Sequence, residues 1–218
     1  MRRKLSKQLM KQYILQNDTT YIFISILFLM GVIFGAIFVN SLSITQKEDL
    51  FYYLNQFFHQ ITNENMMNKT EVFKISFWQN VQLLGLIWIL GISIIGFPIV
   101  FILLFLKGIV IGFTVGFLVS EMGLSGVGLV FGSIFPQNIL FIPIYIFIAA
   151  ASVGFSMKLI RKIFIRQSLV PKFAPILSQY MMFYLVAVVI ILIAAGIESY
   201  VSTYFMRNII MIINKSVS

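Results

Sequence analysis

The feature that most constrains this chain is the stretch of residues 77–157, whose only formally charged residues are Lys107 and Glu121. A water-soluble fold does not bury so long an uncharged segment, because Lys, Glu, Arg and Asp normally cover its surface. Apolar runs of 18 or more residues are typical of helices that span a membrane, and this stretch is long enough for about three of them. It therefore predicts the core of an integral membrane protein.

The composition of the whole chain indicates the same class. Of its 218 residues, 60% are hydrophobic and 11% are charged, whereas soluble domains have about 25% charged residues. The mean hydropathy is +0.97. Without cysteine, the chain has neither a disulfide nor a thiolate metal site. We predict an all-α, polytopic membrane helical bundle that forms a single domain over residues 1–218 and uses no cofactor.

Five segments are apolar and long enough to cross a membrane. We predict the spans at 21–42, within 77–97, through 108–116, at 139–157 and at 180–197. Residues 1–20 are then a lead-in, 43–76 an outer loop and 77–197 the main membrane core. Residues 200–213 are apolar but interrupted by Arg207 and Asn208, so they lie either at the interface or in a sixth span.

The basic residues predict the orientation of the bundle. The formal net charge is +9, and the basic residues cluster at 2–11 and 158–172, beside apolar spans. With the N-terminus in the cytoplasm, five spans place 11 of the 16 basic residues on the cytoplasmic side, as the positive-inside rule requires. Clusters in this position are topology signals, so the charge does not indicate a nucleic-acid partner.

Two segments between spans are rich in glycine or proline. Gly96-Phe97-Pro98 fits either a turn or a kink, because proline removes a helical hydrogen bond wherever it falls. Residues 121–136 contain four glycines and predict a short outer loop with a re-entrant part.

The outer loop 43–76 contains a predicted amphipathic helix. Thr45 and Glu48 have the spacing of a helix-capping box. Large apolar residues then recur with helical periodicity on one face, and polar residues fall on the other. Lipid, the protein's own spans or a partner must cover the apolar face. As partner-binding residues we predict Leu50, Tyr53, Leu54, Phe57, Phe58 and Ile61.

Regularly spaced glycines predict close contacts between helices. Gly31 and Gly35 form a G-x-x-x-G, and Gly108, Gly112 and Gly116 repeat every four residues. This spacing places residues without side chains on one helical face, so that another helix can approach closely. Chance occurrence in a glycine-tolerant span is the alternative, above all for the first pair. We predict that all five glycines serve helix packing.

No set of residues predicts catalysis. Gly123-Leu124-Ser125-Gly126 matches the G-x-S-G of rhomboid intramembrane proteases, but a nucleophilic serine needs a base within reach. The only histidine, His59, belongs to the outer amphipathic helix, and one histidine does not make a zinc site. We expect no catalytic, cofactor-binding or metal-binding residues.

Lys107 and Glu121 raise the alternative of a permease-like transport subunit. Ionisable residues at membrane depth are costly and often functional. Lys107 lies either at a cytoplasmic end or part-way along the third span, with its side chain extended toward the surface. We place both residues near predicted span ends, where solvation at the interface is the ordinary explanation, and no second buried acid is evident.

Several segments resemble the stage II sporulation protein M family of endospore-forming bacteria. They are FLMGVIFGA at 28–36, YLNQFF at 53–58, LKG at 106–108, GFTVGF at 112–117 and FPQN at 135–138. More distant members of the wider family have Pro-His where this chain has Pro136-Gln137, so any role of that histidine does not carry over.

The resemblance implies a non-enzymatic role in engulfment, when the mother-cell membrane migrates around the forespore and septal peptidoglycan is remodelled. The family member is expected to be a scaffold in the septal or engulfing cell membrane. It would recruit and hold two peptidoglycan-degrading partners, stage II sporulation proteins D and P.

The charge asymmetry makes a testable prediction of topology. In this cysteine-free chain, Gln60→Cys should react with a membrane-impermeant maleimide added outside cells, because the loop 43–76 lies outside. Lys162→Cys should react only after the membrane is permeabilised. The reverse labelling pattern would contradict the orientation.

Overall fold

The structure is a computed structural model that describes residues 18–62, 69–93, 95–164 and 173–199. Six helices make up nearly all of these residues. A short 3₁₀ turn, Val39–Ser41, follows the first helix, and a π-helical turn, Val130–Ile134, precedes the fifth. The helices are α1 (Asp18–Phe38), α2 (Ile44–Thr62), α3 (Lys69–Ile92), α4 (Gly96–Leu129), α5 (Phe135–Phe164) and α6 (Phe173–Ile197).

Five of these helices are long and apolar enough to cross a membrane, which confirms the predicted helical membrane bundle. The candidate spans are Thr19–Ser41, Val72–Ile92, Gly96–Gly132, Asn138–Ile160 and Leu177–Ile197. The second span begins at Val72, five residues before the predicted limits 77–97, and ends within them. Its first turns contain Lys74, which is exposed, so its charge stays at the surface.

The chain turns just before Gly96, and Gly96-Phe97-Pro98 forms the first turn of α4 rather than a kink within a span. The Ser93 N–H donates to the Leu90 carbonyl at 3.0 Å, and the Gly96 N–H donates to the Ser93 carbonyl at 3.2 Å. Pro98 lies in the first turn of α4, where a missing N–H breaks no intrahelical bond. The chain therefore reverses between α3 and α4 at this end of the bundle, which we call the Gly96 end.

The predicted loop 121–136 is helical in the structure, so that prediction was wrong in its secondary structure. The chain bends at Gly123, which has φ 55° and ψ −129°, a backbone conformation open to glycine and strained for other residues. Helical geometry resumes directly and continues through the π-helical turn into α5. A helical path satisfies backbone polar groups within the segment, as lipid requires. We call this side of the bundle the Gly123 end.

Helix α5 occupies the centre of the bundle. In its spanning window 67% of the residues are buried, against 22–33% in the other four spans. A run of small residues, Ala149 to Val153, is fully buried, which lets neighbouring helices pack closely around it. The other spans expose rows of Ile, Leu and Phe that suit a lipid surface.

The predicted packing glycines lie where α1 and α4 meet. Gly31 and Gly35 face the backbone of Phe105 to Ile109, and Gly108 and Gly112 face the backbone of Phe28 to Val32. A β-carbon added at any of these four glycines would lie less than 3.0 Å from a backbone atom of the facing helix. Gly116 faces Ala36, with 3.0 Å between its hypothetical β-carbon and the Ala36 Cα. The backbones of α1 and α4 thus touch along both glycine rows.

We expect Gly112→Leu to separate α1 from α4, because the new side chain would overlap the backbone of Val32. Such overpacking typically costs about 1–3 kcal/mol. The measurements are membrane abundance and the thermal unfolding midpoint in detergent. Gly196→Leu is the matched control, since Gly196 lies in a spanning helix and a β-carbon there would have nothing within 4 Å. Equal abundance and equal midpoints for the two variants would show that the glycine contact is incidental.

Candidate functional site

A polar cavity of about 200 Å³ lies among α3, α4 and α5 and the residue that follows α6. Apolar side chains, including Val110, Ile111 and Phe141, form part of its wall. The polar part of the wall is formed by Ser76, Gln79, Asn80, Lys107, Thr114, Asn138 and Glu198. Polar groups are costly in lipid, so their concentration inside a membrane bundle makes this cavity the candidate functional site.

Helical spacing brings the polar side chains to one place. On α3, Ser76 and Asn80 are four residues apart and therefore lie on one face. On α4, Lys107 and Thr114 are two turns apart. The Asn138 side chain donates to the Ile134 carbonyl at 2.8 Å, and both residues line the cavity, so the start of α5 forms part of its wall.

A chain of hydrogen bonds runs along this wall and connects three helices. The Tyr145 hydroxyl donates to Asn80 Oδ1. Asn80 Nδ2 donates to the Ser76 carbonyl at 2.8 Å and approaches Ser76 Oγ at 3.4 Å. Ser76 Oγ in turn donates to Glu198 Oε2. Each interhelical hydrogen bond of this kind contributes about 0.6 kcal/mol on average in a membrane. These hydrogen bonds therefore stabilise the bundle modestly, and they also fix the orientation of the polar side chains in the cavity wall.

Lys107 lies well inside α4, which is the second of the two positions that the sequence left open, and not near a span end. The span begins at Gly96 directly after a tight turn, which leaves Lys107 part-way across the membrane. Its Nζ lies 5.7 Å from the centroid of the Tyr145 ring, within the range of a cation–π interaction. The aromatic face and the polar wall together make this depth tolerable for an ammonium group.

Glu121 lies apart from Lys107. Its Oε1 is 3.8 Å from Lys47 Nζ, and about a quarter of each side chain is exposed. An ion pair with this exposure contributes about 0–1 kcal/mol. The pair joins the start of α2 to the Gly123 end of α4, which is a structural role at the surface.

Glu198 is the site residue that the sequence reasoning missed. It follows the last apolar span directly, and a boundary placed at residue 197 left it outside the membrane core. The sequence did contain one sign of a polar site at the membrane. Ser76 and Asn80 are polar residues one helical turn apart at the start of an apolar segment, and both line the cavity that contains Glu198. A second acid was therefore present at the membrane, contrary to the expectation that none was.

A second group of polar side chains ties the helices together near the Gly96 end. Ser152 Oγ donates to the Ile87 carbonyl at 3.1 Å, and the Tyr180 hydroxyl donates to the Trp88 carbonyl at 2.8 Å. The Ser152 and Tyr180 hydroxyls lie 2.7 Å apart. Ser156 Oγ donates to the Ser93 carbonyl at 2.9 Å. These groups are buried and bonded to one another, so they hold α3, α5 and α6 in register.

The predicted amphipathic helix is α2, and its cap differs from the expected one. The Ser43 N–H donates to Gln46 Oε1 at 3.0 Å, and the Gln46 N–H donates to Ser43 Oγ at 3.3 Å. This reciprocal pair is the capping box, two residues before the predicted Thr45 and Glu48. The helix begins at Ile44, so Thr45 already lies inside it.

The predicted partner-binding residues lie on α2 with unequal exposure. Leu50 and Leu54 are half-buried, whereas Tyr53 is 68% exposed. The side chains of Phe57, Phe58 and Ile61 lie outside the described residues. In the described part of the chain, no spanning helix packs along α2.

The remaining sequence candidates form no reactive group in the described residues. Ser125 is exposed just after the Gly123 bend, and the side chain of His59 is outside the described part. Among the described residues, no group of three or more His, Cys, Asp or Glu side chains is arranged to hold a metal ion.

Comparison with known proteins identifies a family. Residues 24–203 match the SpoIIM family, described as stage II sporulation protein M. No curated protein and no solved structure matches the chain. The matched region extends from α1 to beyond α6, so it includes both the α1–α4 glycine contact and the polar cavity. A match over this much of the sequence means that the chain belongs to the stage II sporulation protein M family.

Proposed function

We propose that this multi-pass sporulation membrane protein is a non-enzymatic scaffold of the engulfment machinery. It recruits and holds peptidoglycan-degrading partners, stage II sporulation proteins D and P, at the septal and engulfing membrane of the mother cell. Membership of the family supports the sporulation role. In this proposal the N-terminus is cytoplasmic, so α2 and the Gly123 end face the partners outside the membrane.

The observation that carries the proposal is the uncovered apolar face of α2. Tyr53, which lies on this face, is 68% exposed, and in the described residues no span packs along this helix. Leaving large apolar side chains in water costs about 1.5–3 kcal/mol each, so lipid or a partner must cover them. A partner that acts on peptidoglycan lies on the side of the membrane where the proposal places α2.

The attachment of α2 to the bundle suits a docking element. Its first turn is fixed by the Ser43–Gln46 capping box and by the Lys47–Glu121 ion pair. The later turns have no neighbouring span in the described residues. The helix is thus anchored at one end and presents the remainder of its length for contact.

We expect Tyr53→Asp combined with Phe57→Asp to release the two hydrolases from the protein. The residues are one helical turn apart, so two carboxylates would interrupt the apolar face without changing any spanning segment. The measurement is recovery of the partners with the tagged, full-length protein from detergent-solubilised membranes of sporulating cells. We expect at least a tenfold loss.

Thr45→Asp is the control for this experiment. It adds a carboxylate at an exposed position in the first turn of α2, where a negative charge suits the helix dipole. Partner recovery should be normal with this variant. Wild-type recovery with the double variant, at equal membrane abundance, would move the partner-binding site away from α2.

A permease-like transport subunit is the second candidate, and the polar cavity around Lys107 favours it. A solute pathway through the bundle would depend on that ammonium group, whereas a scaffold that binds through α2 would not. We expect Lys107→Ala cells to take up labelled alanine at the wild-type rate, with Glu121→Ala as the surface-charge control. A tenfold loss of uptake in the Lys107 variant alone, with partner recovery intact, would favour transport.

A further inference from the structure

Helix α3 has two amide side chains on its exposed face. Gln79 and Gln82 are both exposed, and both lie within the candidate span Val72–Ile92. Gln82 is ten residues from each end of that span, which places it at mid-depth, about 15 Å of helix from either end. A glutamine side chain is too short to reach water over that distance. The Gln82 amide therefore lies on the outer surface of the bundle at the depth of the lipid tails.

Exposed amides of this kind are absent from the lipid-facing surfaces of α1 and α6. Every exposed residue at 22–38 of α1 and at 181–197 of α6 is apolar. Thr114 of α4 is exposed, but its hydroxyl donates to the Val110 carbonyl of its own helix at 2.8 Å. In the described part of the chain, the Gln82 amide makes no comparable hydrogen bond. Lipid tails offer it no partner either, so the amide points to another protein surface at this depth.

The exposed residues of α3 form one stripe along the helix, with Gln82 at its centre. Ile75 and Ile89 lie seven residues before and after Gln82, and Trp78 and Leu86 lie four residues before and after it. A repeat of seven residues is the periodicity of helices that pack side by side as a left-handed pair. A single polar residue in such a repeat fixes the register, because any other alignment would place it against apolar side chains.

Symmetry favours a second copy of this chain as the occupant of the stripe. Two copies in one membrane have the same orientation, so the twofold axis of a dimer runs along the membrane normal. Such an axis leaves depth unchanged, and Gln82 of one copy therefore lies level with Gln82 of the other. A primary amide has both donors and acceptors, so two of them complement each other without any further residue. A different partner would need its own polar residue at the same depth.

We propose that this protein forms a homodimer in the membrane through the α3 stripe, and that a hydrogen-bonded pair of Gln82 amides fixes its register. The apolar residues on either side of Gln82 supply close packing, the main attraction between helices in lipid. Gln79 lies at the edge of the stripe and lines the polar cavity, so we assign the pairing to Gln82. The stripe is on α3 and the proposed partner-binding face is on α2, so the inference is independent of the scaffold role.

Disulfide cross-linking of the full-length protein in native membranes tests the position of the interface, because the chain has no cysteine of its own. Ile75→Cys and Ile89→Cys each place a thiol on the stripe, where the twofold axis brings the same position of two copies close together. Ile33→Cys is the control, since Ile33 is exposed on the apolar outer face of α1. After oxidation with copper phenanthroline, non-reducing gels should show a dimer for both α3 variants and little for the control.

Two substitutions of Gln82, each combined with Ile89→Cys, test the role of the amide. Gln82→Leu keeps a side chain of similar size and removes the hydrogen bonds, so the yield of cross-linked dimer should fall about fivefold. Gln82→Asn keeps donors and an acceptor and should retain most of the dimer. Gln82 is exposed, so neither change disturbs the packing within the bundle. Immunoblots of the membranes under reducing conditions establish equal abundance of the variants.

Three results would overturn the proposal. They are no dimer from either α3 cysteine, an equal yield of dimer from Ile33→Cys, and an unchanged yield with Gln82→Leu at equal membrane abundance. A cross-linked product that contains one copy of this chain and a different protein would also overturn it, because the stripe would then bind another partner.

Discussion

The absence of water from the hydrocarbon region is the constraint on which the rest of this structure depends. Every backbone N–H and C=O there must find a partner within the protein, and a helix provides it locally. The rule explains why even the glycine-rich segment after Glu121 stays helical and bends only at Gly123. It also explains why hydroxyl and amide side chains in the spans bond to backbone carbonyls or to one another.

Once the helices exist, lipid gives them no hydrophobic reason to associate, because lipid tails are as apolar as leucine. Close packing and interhelical hydrogen bonds must hold the bundle together. The two mechanisms lie in different parts of the molecule. Glycines bring the backbones of α1 and α4 into contact, whereas buried small residues and hydroxyl groups of α5 join it to α3 and α6.

The polar cavity is an exception to this arrangement of apolar, closely packed helices. It places an ammonium, a carboxylate and several amides among helices whose outward faces suit lipid. The α2 helix is a second exception, because its exposed aromatic side chains have no span beside them in the described residues. The proposed functions rest on these two exceptions. One presents an apolar surface at the edge of the bundle, and the other presents charge inside it.

Much of the fold could be predicted because it depends on local sequence properties. The length of the apolar runs set the number of spans, and helical periodicity indicated α2. Span limits were harder to place, because the free energy changes little when a boundary shifts by one turn within an apolar run. The start of α2 was misjudged for a similar reason, since Ser43–Gln46 and Thr45–Glu48 both fit the capping pattern.

The site depended on tertiary structure. Periodicity suggested that Gly31, Gly35, Gly108, Gly112 and Gly116 lie on packing faces, but not that α1 and α4 are each other's partners. Nothing local in the sequence joins Ser76 to Glu198, or Lys107 to Tyr145, because these pairs lie far apart in the chain. The sequence by itself determined which segments must leave water, since that depends on the composition of each segment. Only the packing of the helices decided which polar residues share a cavity, since that depends on the rotation and neighbours of every helix at once.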